Sequence, residues 1–169
     1  MIREWEIQDC RAVIDLVLDI QNVEYSVGLT LADQPDLLNV PGHYMAGGGN
    51  FWVAVTPSDR VVGCIGLQRL SATAGALKKF FVSAEYRGPS HGHSVALFAT
   101  LMRFAAHHRL SNILLDSPAV ATRSHRFYTR MGFRRISVEE LPVPYTFVDR
   151  DSHLYLLSLQ APRPDQADR

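Results

Sequence analysis

The sequence is poor in cysteine, has no long apolar run and carries no excess charge of either sign. Cys10 and Cys64 are its only cysteines, far apart in apolar-patterned segments. That excludes a disulfide scaffold and reads as two buried free thiols. Apolar runs are broken by Arg, Asp or Gly well short of the roughly 18 residues that a membrane span needs. Met1 is followed at once by Arg3, Glu4 and Glu6, which is not a signal-peptide pattern. A cytoplasmic protein without a membrane partner is expected. Lys plus Arg and Asp plus Glu both total 17, so the formal net charge is zero. A balanced chain offers no broad basic surface, and a nucleic-acid partner is not expected.

What is present suits one compact domain of 169 residues, with 47% hydrophobic and 20% charged residues. The domain is expected over 1–160, with 161–169 (APRPDQADR) a polar tail. Ile2 to Ile7 alternates as a first strand, and Asp9 is placed to cap a helix. Cys10, Val13, Ile14, Val17 and Ile20 then recur at helical spacing. Asp33 to Tyr44, punctuated by Pro35 and Pro41, suggests a short helix and a loop. FWVAV, VVGCIGL and LKKFFV are β-branched or aromatic runs bounded by turn signals, and Pro57, Ser58 and Asp59 form the hairpin between the first two. Val95, Phe98, Met102 and Ala105 predict one face of a helix from about His93 to His108. Asn112 to Asp116 reads as a buried strand, followed by a helix to Arg130 that Gly132 terminates. Phe133 to Glu140 and His153 to Leu159 are two further strands. The middle β-α-β unit is expected to be parallel.

Chemistry concentrates in FFVSAEYRGPSHGHSVALF. A strand ends at Val82, a Gly-bearing loop runs from Arg87 to His93, and a helix begins. Helix starts leave unpaired amides with partial positive charge, and small residues let those amides approach an anion. Arg87 adds a charge, and Ser90 and Ser94 add hydroxyl donors. The loop therefore predicts a phosphate or pyrophosphate site, with an ordinary strand-to-helix connection as the alternative. No Gly-Lys-Ser/Thr follows, which disfavours a Walker loop.

RSHRFYTRMGF then places Phe127, Tyr128, Gly132 and Phe133 in the order F-Y-x-x-x-G-F. With that segment, the YRG loop and the strands before it, the chain resembles the GNAT superfamily of N-acetyltransferases over nearly its whole length. It resembles more narrowly a bacterial branch with D-Q-P-D-L (Asp33 to Leu37), G-x-F-W-V-A, and a late L-P…D-x-x-x-Y segment (Leu141, Pro142, Asp151, Tyr155). The resemblance implies a GNAT-like α+β (mixed α/β) fold: a central, mostly antiparallel sheet of about seven strands flanked by about four helices. It implies acetyl-CoA as co-substrate and a small-molecule or peptide amine as acceptor. A homodimer is possible in such folds.

Roles follow from the same resemblance. The pantetheine arm would pair with backbone at Phe80, Phe81 and Val82, and Ser124 would contact the coenzyme. Arg87, Gly88, Ser90, Gly92, His93 and Ser94 would cradle its pyrophosphate. The superfamily loop is written Q/R-x-x-G-x-G/A. Ser90 stands where the first Gly belongs, unless Gly92-His93-Ser94 is the G-x-G/A part after two extra residues; the latter keeps the helix in register. Tyr128 would protonate the departing thiolate, since a phenol with a pKa of about 10 is protonated at neutral pH. Amides near Phe81 would stabilise the tetrahedral intermediate. Ala76 occupies the position of a common glutamate base, so the base comes from another strand or from solvent, or the amine arrives neutral. Glu85, Lys78 and Lys79 read as surface charges. Tyr25, Asp36, Tyr44 and Trp52 are candidates for the acceptor pocket, with Asp36 able to attract an amine. No metal is expected: His91 and His93 lack a Cys or carboxylate to complete a ligand set. A non-catalytic coenzyme sensor, or a nucleotide-phosphate binder of another fold, are the competing readings.

Overall fold

The computed structural model describes residues 1–147 and 151–159; the expected tail at 161–169 lies outside the described residues. Seven strands form one sheet, β1 (Ile2–Glu4), β2 (Asn50–Val55), β3 (Val61–Arg69), β4 (Ala74–Val82), β5 (Asn112–Pro118), β6 (Arg134–Ile136) and β7 (Ser152–Ser158). Their spatial order is β1-β2-β3-β4-β5-β7-β6. Among the described residues only β4 and β5 pair in parallel, so the sheet is mixed and mostly antiparallel, as expected. Among the described residues four α-helices accompany it: α1 (Cys10–Asp19), α2 (Pro35–Leu38), α3 (His93–His107) and α4 (Thr122–Arg130).

Each face of the sheet carries its own core. On one face Leu97, Phe98, Leu101 and Ala105 of α3, with Tyr128 of α4, pack over Trp52, Ile65, Leu77, Ile113 and Leu115. The buried stripe of α3 is thus rotated from the expected one, and Val95 is exposed beside a cleft. On the opposite face Val13, Ile14 and Val17 of α1 pack on Phe51, Val53, Val55 and Cys64. A smaller cluster on Leu114, Ile136, Leu154 and Leu156 is covered by Leu141, Val143, Tyr145 and Phe147. Cys64 is a buried free thiol whose S–H reaches the Lys79 carbonyl at 3.1 Å, and Cys10 is a partly buried one.

Local chemistry moves several boundaries. The first strand stops at Glu4, because Asp9 folds back to accept the Glu6 amide at 2.8 Å and nucleates a 3-10 turn, Ile7–Asp9. Asp9 therefore closes that turn and makes no side-chain cap on α1. Helix α1 continues as a π-turn, Ile20–Glu24, and a second π-turn spans Pro41–Met45. Strand β6 ends at Ile136, where Ser137 and Glu140 form a capping box on a 3-10 turn. Gly132 ends α4 with φ 93°, the left-handed backbone that glycine adopts most cheaply.

Candidate functional site

The site originates in an incomplete strand pairing. Strands β4 and β5 are registered only from Ala74↔Asn112 to Ala76↔Leu114. Beyond Ala76, β4 runs on to Val82 with no partner on its β5 side, and the two strands diverge. A cleft of about 740 Å³ opens there, between the ends of α3 and α4. Its walls are mostly apolar, with Phe80 edge-on to Phe127 at 5.3 Å and Phe127 edge-on to Phe98 at 5.8 Å.

The loop expected to bind phosphate forms one mouth of this cleft. Gly92 is the residue before α3 and has φ 65°; Gly88 has φ 97°. A Cβ on either would meet nothing within 4 Å, so space stands open above both backbones. The first helical bond runs from the Ala96 amide to the Gly92 carbonyl at 2.9 Å, which leaves the preceding helix-start amides for an outside acceptor.

Of the residues expected to hold the coenzyme, Phe80, Phe81, Val82, Arg87, Gly88, Gly92, Ser94 and Ser124 line the cleft. Ser90 and His93 do not. Ser90 is exposed, and His93 stacks on His91 at 6.2 Å and lies against Tyr86 at 6.0 Å. Burial lowers the pKa of His93, and the neighbouring His91 adds to this. Arg87 lines the cleft but is already engaged: its guanidinium bonds both Glu24 oxygens at 2.7 Å and the Val82 carbonyl at 2.6 Å. Two arginines of α4 that the sequence reading missed, Arg123 and Arg130, also border the cleft. Their presence in RSHRFYTR, on the helix carrying Tyr128, was the available signal. Among the described residues no three His, Cys, Asp or Glu side chains are grouped as metal ligands.

A second cavity, of about 380 Å³ and more polar, lies toward the other face. It exists in this form because of a bulge. Cys64 pairs with Phe81 and Gly66 with Lys78, so two residues of β4 face one of β3, and Lys79 has φ 50°. The bulge breaks strict alternation and sends consecutive lysines to the same side. Lys78 donates to Asp116 at 2.9 Å and to the Tyr145 hydroxyl at 2.6 Å. Lys79 donates to Gln34 at 2.8 Å and lies 3.4 Å from Asp36. The expectation of surface lysines is therefore corrected: both line the cavity. Burial lowers the pKa of Lys79, with Asp36 opposing that shift. Asp36 also accepts from Tyr44 at 2.6 Å, and Tyr145 donates to Asp116. Trp52, expected here, instead lies in the core against Phe104 at 5.2 Å. Glu85, expected on the surface, is exposed and paired with Arg60.

The two cavities share Tyr25, Phe80, Phe81, Ser124 and Tyr128. Tyr128 is 5% exposed, yet its hydroxyl has no hydrogen bond to a described residue. Burial raises its pKa, helped by Tyr25, Asp116 and Tyr155. The phenol is thus a protonated donor at the junction of an apolar cleft and a polar pocket.

A family profile described as "Acetyltransferase (GNAT) domain" matches residues 47–135. An acetyltransferase from Streptococcus agalactiae is 36% identical, over 94% of this chain and 98% of its own, with a TM-score of 0.90. An acetyltransferase of the GNAT family from Staphylococcus aureus is 31% identical, over 95% of this chain and 99% of its own, with a TM-score of 0.89. N-acetylaspartate synthetase of Danio rerio is 32% identical over 114 residues, 66% of this chain. The chain spans 39% of the length of that relative.

Proposed function

We infer the function from one premise: the chain belongs to the GNAT acetyltransferase family. We propose that it transfers an acetyl group from acetyl-CoA directly to the primary amine of a small acceptor. The observation that carries this reading is the meeting of the two cavities at Tyr128. An extended acyl carrier fits the apolar cleft, and a polar acceptor fits the other cavity.

Each role belongs to a group already placed. The amides at Ser94 and the start of α3, with Gly88 and Gly92 keeping their approach open, would hold the pyrophosphate. Arg123 and Arg130 supply charge nearby. The unpaired side of β4 at Phe80, Phe81 and Val82 would bind the pantetheine amides, and the amide near Phe81 would face the developing oxyanion. Ser124 closes the same wall. Tyr128 would donate its proton to the departing sulfur, a role that suits a phenol held protonated by burial. Arg87 would brace the loop through Glu24. Ser90 and His93 would reach only the outer phosphate edge.

The acceptor pocket presents both signs of charge, Lys78 beside Asp116 and Lys79 beside Asp36. We propose an acceptor that carries a carboxylate as well as an amine, such as an amino acid. The name of the relative N-acetylaspartate synthetase favours the same class. We also propose one domain over 1–160 in the cytoplasm, in the bacterial branch marked by D-Q-P-D-L, with homodimer formation open to its late strands. Among the described residues no helix is long and apolar enough to cross a membrane.

Thiol release from acetyl-CoA with a panel of amines tests the reading. Turnover that depends on a carboxylate-bearing amine is expected. A non-catalytic acyl-CoA sensor is the second reading, favoured by the buried Ala76 that offers no carboxylate. Tight coenzyme binding without thiol release on any amine would select the sensor, and no coenzyme binding would remove both.

A further inference from the structure

Ala76 leaves the amine without an obvious base on β4, and two polar groups of the acceptor pocket are already engaged. Asp116 already accepts from Lys78 and Tyr145. Lys79 is occupied as a donor to Gln34 beside Asp36. At the end of β5, however, Ser117 lines the same cavity as Lys78, Lys79 and Tyr128. It is 5% exposed, and its hydroxyl lies 3.2 Å from Nε2 of His125. His125 stands three residues before Tyr128 on α4, so the two share a helical face. Its ring is only half-buried, stacked on His153 at 4.9 Å and tilted against Tyr155 at 5.5 Å.

We propose that Ser117 and His125 form a proton relay from the acceptor's ammonium group to solvent, supplying the base that Ala76 does not. The proposal rests on the acetyl-transfer reading above. Burial lowers the pKa of His125, His153 lowers it further, the Pro118 carbonyl opposes the shift, and Arg135 adds to it. The ring is neutral at pH 7 as a result. With its proton on Nδ1, Nε2 accepts the Ser117 hydroxyl proton, and the Oγ lone pairs are left for a donor in the pocket.

The balance closes on one released proton. The ammonium gives a proton to Ser117 Oγ while Ser117 gives its own to His125 Nε2, leaving a neutral amine. The amine nitrogen bonds to the acyl carbon as the carbon–sulfur bond breaks. Tyr128 gives its proton to the sulfur and is restored by the second proton from the nitrogen. The imidazolium then loses its proton to water at its exposed edge.

The test has two readouts. Nitrogen-15 NMR of the ring should show the Nδ1–H tautomer in the full chain, and Ser117→Ala should perturb the Nε2 resonance. An Nε2–H tautomer that donates to Ser117 overturns the relay whether or not an acceptor is in hand. In thiol-release kinetics at pH 7, Ser117→Ala and His125→Ala should each lower kcat by roughly 100-fold. Coenzyme affinity should change less than about twofold, which also shows that the variants fold. Raising the pH until the free amine predominates should recover most of the loss, and imidazole should rescue His125→Ala. Full kcat in both variants with an active parent overturns the relay alone. An inactive parent on every amine overturns the transfer reading and the relay with it.

Discussion

The guanidinium of Arg87 and the carboxylate of Glu24 are joined by two hydrogen bonds of 2.7 Å. The pair ties the loop before α3 to the π-turn that follows the first helix. Both side chains are less than a third exposed, at 19% and 27%, so solvent screens the pair only in part. Glu24→Ala should therefore cost about 1 kcal/mol of stability. It should also weaken coenzyme binding about fivefold, by loosening the loop. If Arg87 served only as a phosphate ligand, releasing it from Glu24 would tighten binding instead. Calorimetric titration with coenzyme A separates the two outcomes.

Tyr128→Phe removes a hydroxyl that no described residue hydrogen-bonds, and keeps the ring that packs on Phe133 and Tyr155. Stability should stay within about 0.5 kcal/mol of the parent. Turnover should fall roughly 100-fold while the KM for acetyl-CoA changes little. Because burial raises the phenol's pKa, any alkaline loss of activity from its ionisation should begin above the ordinary tyrosine value of about 10. Unchanged turnover in the variant would remove Tyr128 from the chemistry.

Lys78→Met should raise the KM for a carboxylate-bearing acceptor by about tenfold, with acetyl-CoA kinetics near those of the parent. The same change leaves Asp116 with Tyr145 as its remaining donor, so a modest loss of thermal stability should accompany it. An amine lacking a carboxylate should not feel the substitution. Equal effects on both acceptor types would show that Lys78 serves the fold and not recognition.

The Arg3–Asp9 pair sets an acid limit. Burial alone would raise the Asp9 pKa, but Arg3 bonds it at 2.7 and 2.9 Å and the Glu6 amide at 2.8 Å, and the net shift is downward. A folded pKa below the unfolded value gives stability that is present above about pH 4 and lost as pH falls through the folded value. Asp9→Asn should destabilise the chain by roughly 2 kcal/mol at pH 7. It should also flatten the loss below about pH 4. Urea unfolding across that range checks both, and an unchanged acid slope would assign the limit to other carboxylates.

Much of this was legible in the sequence because it depends on local periodicity. The β-branched runs gave β2, β3 and β4, and F-Y-x-x-x-G-F placed Tyr128 on a helix closed by Gly132. What was not legible depends on breaks in periodicity or on distant partners. Strict alternation puts Lys78 and Lys79 on opposite faces, and only the bulge at Lys79 reverses that. Arg87 reads as a free cation until Glu24 is brought to it across 63 positions of sequence. Trp52 resembles a pocket aromatic until its strand's register turns it toward Phe104. His125 stands in the quoted segment RSHRFYTRMGF, but nothing short of the packed sheet brings Ser117 to it.

The strand order has a consequence for synthesis. Strand β7 lies between β5 and β6, and among the described residues β6 has no other strand partner. During translation, at about 5–20 residues per second, both neighbours leave the ribosome before the strand that joins them. The wall of β5 that bears Asp116 and Ser117 therefore has an open edge until the last strand arrives. A chain ending before residue 152 carries the strands β1 to β5 as neighbours and β6 without its partner, and the β5 wall of the polar cavity would be the last part to take shape.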